Sequence, residues 1–195
     1  MNRIIFATSN SNKIFEAQSK FDFEGINIKI EPVIQPFEPE ENGKNFIENA
    51  IIKAKEAAKI MGEIAFADDS GLCVDYLKGA PGIYSARYAS TQDEKIDKIL
   101  YELRECKSIE ERSAYFACAI ALVDKEGKVL FSHLSRCEGY IMFERHGEGG
   151  FGYDPIFQLK GLNKTFGELS TNEKNLYSHR SKALNELIKF FTISH

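Results

Sequence analysis

Paired cysteines are missing from this chain. Its four, Cys73, Cys106, Cys118 and Cys137, show none of the close spacings of a metal site, and three fall in segments that pattern as strand or helix interior. They are expected to be reduced packing residues. No apolar run approaches the roughly 20 residues that cross a bilayer, and Met1-Asn2-Arg3 leads directly into a strand-like IIFAT. No membrane partner is expected, and residence in the cytoplasm is. Nor is there a basic excess: 25 Lys and Arg stand against 29 Asp and Glu, a net charge of −4, which argues against nucleic acid as a partner. Repeats, low-complexity tracts and long linkers are also lacking. What remains, 195 residues with 43% hydrophobic, predicts one globular domain spanning 1–195.

The most unusual stretch runs from Ile64 to Ala89, IAFADDSGLCVDYLKGAPGIYSARYA. Ile64-Ala65-Phe66-Ala67 patterns as a short buried strand that stops on Asp68, Asp69, Ser70 and Gly71. Two carboxylates at a strand end suit a hard cation or the acceptance of a proton from water. An Asx-type turn that merely ends the strand is the plainer alternative. Strand alternation sends Asp68 and Asp69 to opposite sides if the strand persists through both.

Other segments point toward an anionic, flat ligand. Ile4 to Ala7 reads as a strand, and Thr8, Ser9, Asn10, Ser11, Asn12 and Lys13 lead into a helix. The free amides of such a first turn form an anion site that Lys13 reinforces, although a capped surface helix explains the same residues. The loop lacks the two glycines and the Lys-Ser/Thr ending of a Walker A motif. Pro32, Pro36 and Pro39 impose an extended acidic segment carrying Glu38, Glu40 and Glu41. Phe46 to Met61 is a clear amphipathic helix stopped by Gly62; Lys53 leans toward its packed side, whereas Lys55 and Lys59 face water. A second helix is expected from Asp93 to Cys106, and Ala114–Val123 with Val129–Met142 forms a long hairpin of central strands.

Gly147 to Pro155 packs four glycines around Phe151, Tyr153 and Asp154, ahead of an expected strand at Ile156-Phe157. Glycine allows close backbone approach and the aromatic rings offer a face to a flat base. A last helix is expected from Ser170 to about Phe191, with an inward row of Leu176, Arg180, Leu184 and Ile188. Arg180 interrupts that row, so it requires a buried partner or a bound acceptor.

Together ATSNSNK, EENGKNFIENAIIKAKEAA, AFADDSGLCVDYLKGAPGIYSARYA, GGFGYDPIF and ELSTNEKNLYSHRSKAL resemble the inosine triphosphate pyrophosphatases, which act on noncanonical purine nucleoside triphosphates. The five blocks span nearly the whole chain. Ser9 departs from the glycine common at that place, and the segment between Ala89 and Ala114 matches no motif of the family. The resemblance implies an α/β fold with a long mixed, twisted sheet, flanking helices, and two lobes around a nucleotide cleft. It implies Mg2+-assisted hydrolysis of ITP, dITP or XTP to the monophosphate and pyrophosphate, in a homodimer. By the same resemblance, Thr8 to Lys13 and Lys53 hold phosphates. Asp69 activates water and binds magnesium with Glu40 or Glu41, while Asp68 is a supporting or metal residue of the catalytic pair and Ser70 donates a hydrogen bond. Phe151, Gly152, Tyr153 and Asp154, with Lys174, His179 and Arg180, recognise the base. A pyrophosphatase for pyrimidine or modified nucleotides, and a nucleotide-binding module without turnover, are the rival readings.

Overall fold

The computed structural model describes residues 2–34 and 37–193. Met1 and Pro36, named above, lie outside the described residues. Among the described residues one sheet of six strands has the order β2-β1-β3-β4-β5-β6, from β1 (Arg3–Phe6), β2 (Lys29–Pro32), β3 (Ala65–Val74), β4 (Ser113–Val123), β5 (Val129–Ile141) and β6 (Phe157–Leu159). β1 runs parallel to β2 and β3, and β5 antiparallel to β6, so the sheet is mixed as expected. The described helices are α1 (Ser11–Phe23), α2 (Phe46–Met61), α3 (Gln92–Glu102), α4 (Thr171–Tyr177) and α5 (His179–Ile193). The protein is therefore α/β.

Contacts divide the chain into two compact units. The first takes its described residues from Met1–Asp69, Cys118–Ser135 and Arg180–His195. The second comprises Ser70–Ala117 and Arg136–His179.

In the first unit strand alternation sorts side chains onto two faces. Ile4, Phe6, Phe66, Cys118, Ile120 and Leu122 pack with α1 and α5 residues such as Ala17, Phe21, Leu184 and Leu187. Phe6 and Phe66 stack there with centroids 4.3 Å apart. Ile5, Ala7, Ala65, Ala67, Ala119 and Ala121 instead meet Ala50, Ala54, Ala57 and Ala58 of α2. Alanine against alanine keeps side chains short, which brings α2 close to the strands. α2 is fixed at both ends. Asn45 accepts the Glu48 N–H at 2.9 Å, a cap worth about 1 kcal/mol, and Gly62 closes the helix at φ 64°.

The second unit gathers Leu72, Val74, Ile96, Ile99, Leu103, Phe116, Tyr153, Ile156, Phe157 and Phe166 into its own core. Phe116, Phe157 and Phe166 contact one another there, with Phe116 edge-on to Phe157 at 4.6 Å.

Five expectations are corrected. β3 does not stop at Asp68 but runs to Val74, because β4 flanks it and gives its backbone a hydrogen-bonding partner to continue on. The turn reading of Asp68 to Gly71 is thereby excluded. The second helix ends at Glu102, short of Cys106, and Ile156 closes a 3-10 turn rather than opening a strand. The last helix is broken at Ser178, whose backbone is extended at φ −66° and ψ 153°. Within α4 the buried residues are Lys174 and Asn175, so Leu176, expected inward, is 56% exposed.

Candidate functional site

Asp68 and Asp69 are consecutive on β3 and therefore point to opposite faces. Asp68 is 1% exposed and faces the α1 and α5 side. Lys13, in the first turn of α1, donates from Nζ to its Oδ1 at 2.8 Å, and Arg180, at the start of α5, donates from Nε to its Oδ2 at 3.0 Å. The Arg180 guanidinium also meets Glu16, and the Cys118 thiol lies 3.9 Å from Asp68 Oδ2. Burial disfavours the charge on Asp68, but Lys13, Arg180 and Lys53 outweigh it and hold the carboxyl well below the usual carboxylate range. The same contacts push the Arg180 guanidinium up against its burial. Arg180 thus has the buried partner, Asp68, that its place in an apolar row demanded, with the half-buried Glu16 beside it.

Asp69 is 6% exposed and faces α2. Asn49 and Lys53 are four apart, hence on one helix face. Asn49 Nδ2 donates to Asp69 Oδ2 at 3.1 Å and Lys53 Nζ to Oδ1 at 3.3 Å. The same ammonium lies 2.9 Å from Glu41 Oε1, so two carboxylates share one buried cation. Burial pushes Asp69 above the usual carboxylate range; Lys53 and the Asn49 hydrogen bond oppose this without cancelling it. Lys53 in turn is disfavoured by burial but raised by Asp69, Asp68 and Glu41. Its ammonium is an ion-pair partner rather than a snorkelling head in water. Glu40 is exposed.

Thr8 is buried at the end of β1, and its Oγ1 accepts the Asn10 N–H at 3.1 Å. Asn10 caps α1 by accepting the Asn12 N–H at 2.9 Å, and Ser9, Asn10, Ser11 and Asn12 are exposed around this first turn. Four exposed polar residues and a half-buried Lys13 therefore surround a helix N-terminus, an arrangement that suits an anion.

The second unit holds the remaining candidates. Asp154 is buried, and its Oδ2 accepts both the Phe151 N–H and Lys174 Nζ at 2.8 Å. The pair fixes the glycine loop: Gly150 has φ +75°, and a Cβ there would lie 2.1 Å from Asp154 Oδ2. Lys174 Nζ sits 4.7 Å from the Phe151 ring centroid, within cation–π range. Gly152 donates its N–H to Gln92 Oε1 at 3.1 Å. Tyr153 is a core residue whose hydroxyl donates to the Ser85 carbonyl at 2.9 Å. His179 is buried with its ring stacked on Phe116, centroids 4.7 Å apart. Ser70 is half-buried on β3.

The structure thus gathers Lys13, Asp68 and Arg180; Lys53, Asp69 and Glu41; and Phe151, Asp154 and Lys174. Asn49 and Glu16 join these clusters without a role expected from the sequence. Asn49 carried a signal, its four-residue spacing from Lys53 beside the apolar stripe; Glu16 carried none. Among the described residues no three or more His, Cys, Asp or Glu side chains are arranged to hold a metal by themselves.

The Ham1 family model matches residues 4–190. A dITP/XTP pyrophosphatase of Synechocystis sp. is 43% identical over 188 residues, covering 96% of this chain and 94% of its own. One from Treponema denticola is 44% identical over 194 residues, covering 96% and 97%. Among solved structures, a HAM1 protein from Coxiella burnetii superimposes with a TM-score of 0.85 at 41% identity, covering 98% of this chain and 99% of its own. The Staphylococcus aureus Ham1 protein gives the same TM-score at 36% identity, covering 99% and 100%. With both sequence and fold matched over nearly all of its length, the chain belongs to the Ham1 family.

Proposed function

We propose that this chain, over 1–195, hydrolyses dITP, XTP and ITP to the monophosphate and pyrophosphate, removing noncanonical purines from the nucleotide pool. The observation that carries the reading is the pairing of a buried, basic Asp69 with Glu41 on one lysine. It is supported by relatives that carry the name dITP/XTP pyrophosphatase.

The residues fit a magnesium ion. Magnesium is typically held by one or two carboxylates together with substrate phosphates, and Asp69 and Glu41 supply hard oxygen donors in that number. When bound, Mg2+ neutralises the triphosphate and stabilises the charge that develops as the α–β anhydride breaks. Asp69 accepts a proton from the attacking water; its burial makes it a stronger base than an exposed aspartate. Lys53 keeps that carboxylate and Glu41 apart in charge and adjacent in space. Thr8 to Asn12 offer phosphate donors around the N-terminus of α1, Lys13 adds a cation, and Ser70 donates a hydrogen bond. Asp68 positions Lys13 and Arg180 rather than meeting the reacting atoms.

The base is assigned to Phe151 for stacking, with Lys174, His179 and Arg180 as donors; Gly152, Tyr153 and Asp154 hold the loop that presents Phe151. A 6-oxo purine offers an acceptor where adenine offers an amino group. Donors at that place leave adenine unpaired, at about 1–3 kcal/mol for a buried mismatch. A cytoplasmic homodimer belongs to the same proposal. The test is pyrophosphate release with Mg2+ from dITP, XTP, ITP, dATP, GTP, dUTP and modified pyrimidine triphosphates. Faster release from dITP and XTP than from dATP and dUTP is expected. Equal rates across the panel, or binding without release, overturn the reading.

A further inference from the structure

Asn49 is completely buried, and both ends of its amide are engaged. Its Oδ1 accepts the backbone N–H of Gly43 at 2.9 Å, while its Nδ2 donates to Asp69 Oδ2 at 3.1 Å. A backbone N–H only donates, so it accepts no orientation of the amide but oxygen toward Gly43, and the NH2 group is thereby forced toward Asp69. Gly43 follows Glu41 by two residues. The approach is close enough that a Cβ on Gly43 would stand 2.6 Å from Asn49 Oδ1 and 2.8 Å from the Asn49 backbone nitrogen. One side chain therefore ties the acidic loop to the first turn of α2 and holds one oxygen of Asp69, while Lys53, one turn on, holds the other.

We infer that Asn49 is a positioning residue, a clamp that sets the orientation of the Asp69 carboxylate and the place of the Glu41 loop together, with Gly43 as the required point of close approach. The inference rests on the proposed function for its catalytic consequence and on the two hydrogen bonds for its structural one. A buried amide at this place has an apolar competitor in its own helix, since Ala50, Ala54 and Ala57 fill the neighbouring positions without any polar atom. Retaining an amide among alanines is accounted for by its two bonds. Orientation of this kind changes turnover more than substrate binding, because it acts on the reacting groups and not on the nucleotide.

The test uses Asn49→Ala, Asn49→Asp and Gly43→Ala in the full chain, with Asn45→Ala as the comparison, since Asn45 caps the same helix without touching either carboxylate. Thermal melting confirms that each is folded. Two measurements follow: kcat and KM for dITP with Mg2+, and exchange of the Gly43 amide hydrogen by NMR. Asn49→Ala is expected to lose Gly43 protection and about 10- to 100-fold in kcat with little change in KM. Asn49→Asp keeps an acceptor for Gly43 but sets a carboxylate against Asp69, so protection returns and kcat does not. Gly43→Ala, which pushes on the Asn49 amide, is expected to lower kcat as Asn49→Ala does, and Asn45→Ala to keep kcat. Wild-type kcat and Gly43 protection in a folded Asn49→Ala protein overturn the inference. A wild-type chain inert on every triphosphate overturns the proposed function and the catalytic half of the clamp, and the Gly43 exchange still decides the anchoring half.

Discussion

Asp68 and Asp69 are the same residue type, one peptide apart, both buried, and opposite in chemistry. Asp68 receives two cations at 2.8 and 3.0 Å and is held below its ordinary range. Asp69 shares one lysine with Glu41 at 3.3 Å and is pushed above it. The difference comes from the helices on each face. The α1 and α5 side delivers a lysine and an arginine to a single carboxylate, whereas the α2 side delivers one lysine and a neutral amide to two. Burial alone makes a carboxylate basic, and only a surplus of positive partners converts it into a structural anchor.

The comparison breaks most directly at Asp69. Asp69→Asn is expected to fold and to lose about a thousandfold in pyrophosphate release, the scale of a lost general base. Asp68→Asn is expected to behave the other way, with its first effect on stability. Removing one partner of a buried ionic group leaves the others uncompensated, at about 3 kcal/mol, measured by urea unfolding at neutral pH. Turnover per folded molecule falls less than in Asp69→Asn. If Asp68→Asn melts like the wild type, the anchoring role is lost.

The pH dependence sharpens the contrast, because the two shifts have opposite signs. Asp68, with a lowered folded pKa, contributes stability that is present above its unfolded value, about 3.9, and is lost as the pH falls through the folded value. The gap between wild type and Asp68→Asn should therefore narrow below about pH 4. Asp69, with a raised folded pKa, contributes stability that is present below its unfolded value and lost as the pH rises through its folded one. Asp69→Asn should accordingly gain on the wild type toward neutral pH and lose that advantage in acid. Urea titrations of both variants between pH 3 and 7 check this, and parallel curves would remove the contrast. The smallest effect is expected from Cys118→Ala, whose weak thiol contact with Asp68 is 3.9 Å long. A loss of about 1 kcal/mol in thermal unfolding, with unchanged turnover, fits a packing residue that grazes the anchor.

The two faces were legible from the sequence in part. A period of two along β3 sends Asp68 and Asp69 apart wherever the strand continues, and a period near 3.6 along α2 puts Lys53 on the packed side. Neither period names the partner across the gap. Glu40 and Glu41 are indistinguishable in an extended acidic loop, and the ion pair to Lys53 separates them. Arg180 in an apolar row announced a need that Glu16, 164 residues earlier, helps to meet. Leu176 was misplaced because its apolar character extended a helical row across Ser178, where the backbone is extended.

By itself the sequence determined the alternation of β3, the apolar stripe of α2 with its Gly62 stop, the glycine-rich loop, and the motif set that resembles a nucleotide hydrolase family. These depend on local sterics and on spacing along one element, which the chain encodes directly. Tertiary structure alone decided that the strand runs through both aspartates, which helices face each of them, and hence which aspartate is locked and which is basic. Those outcomes depend on charges brought within about 3 Å from distant parts of the chain, where interaction energies rise steeply as water is excluded.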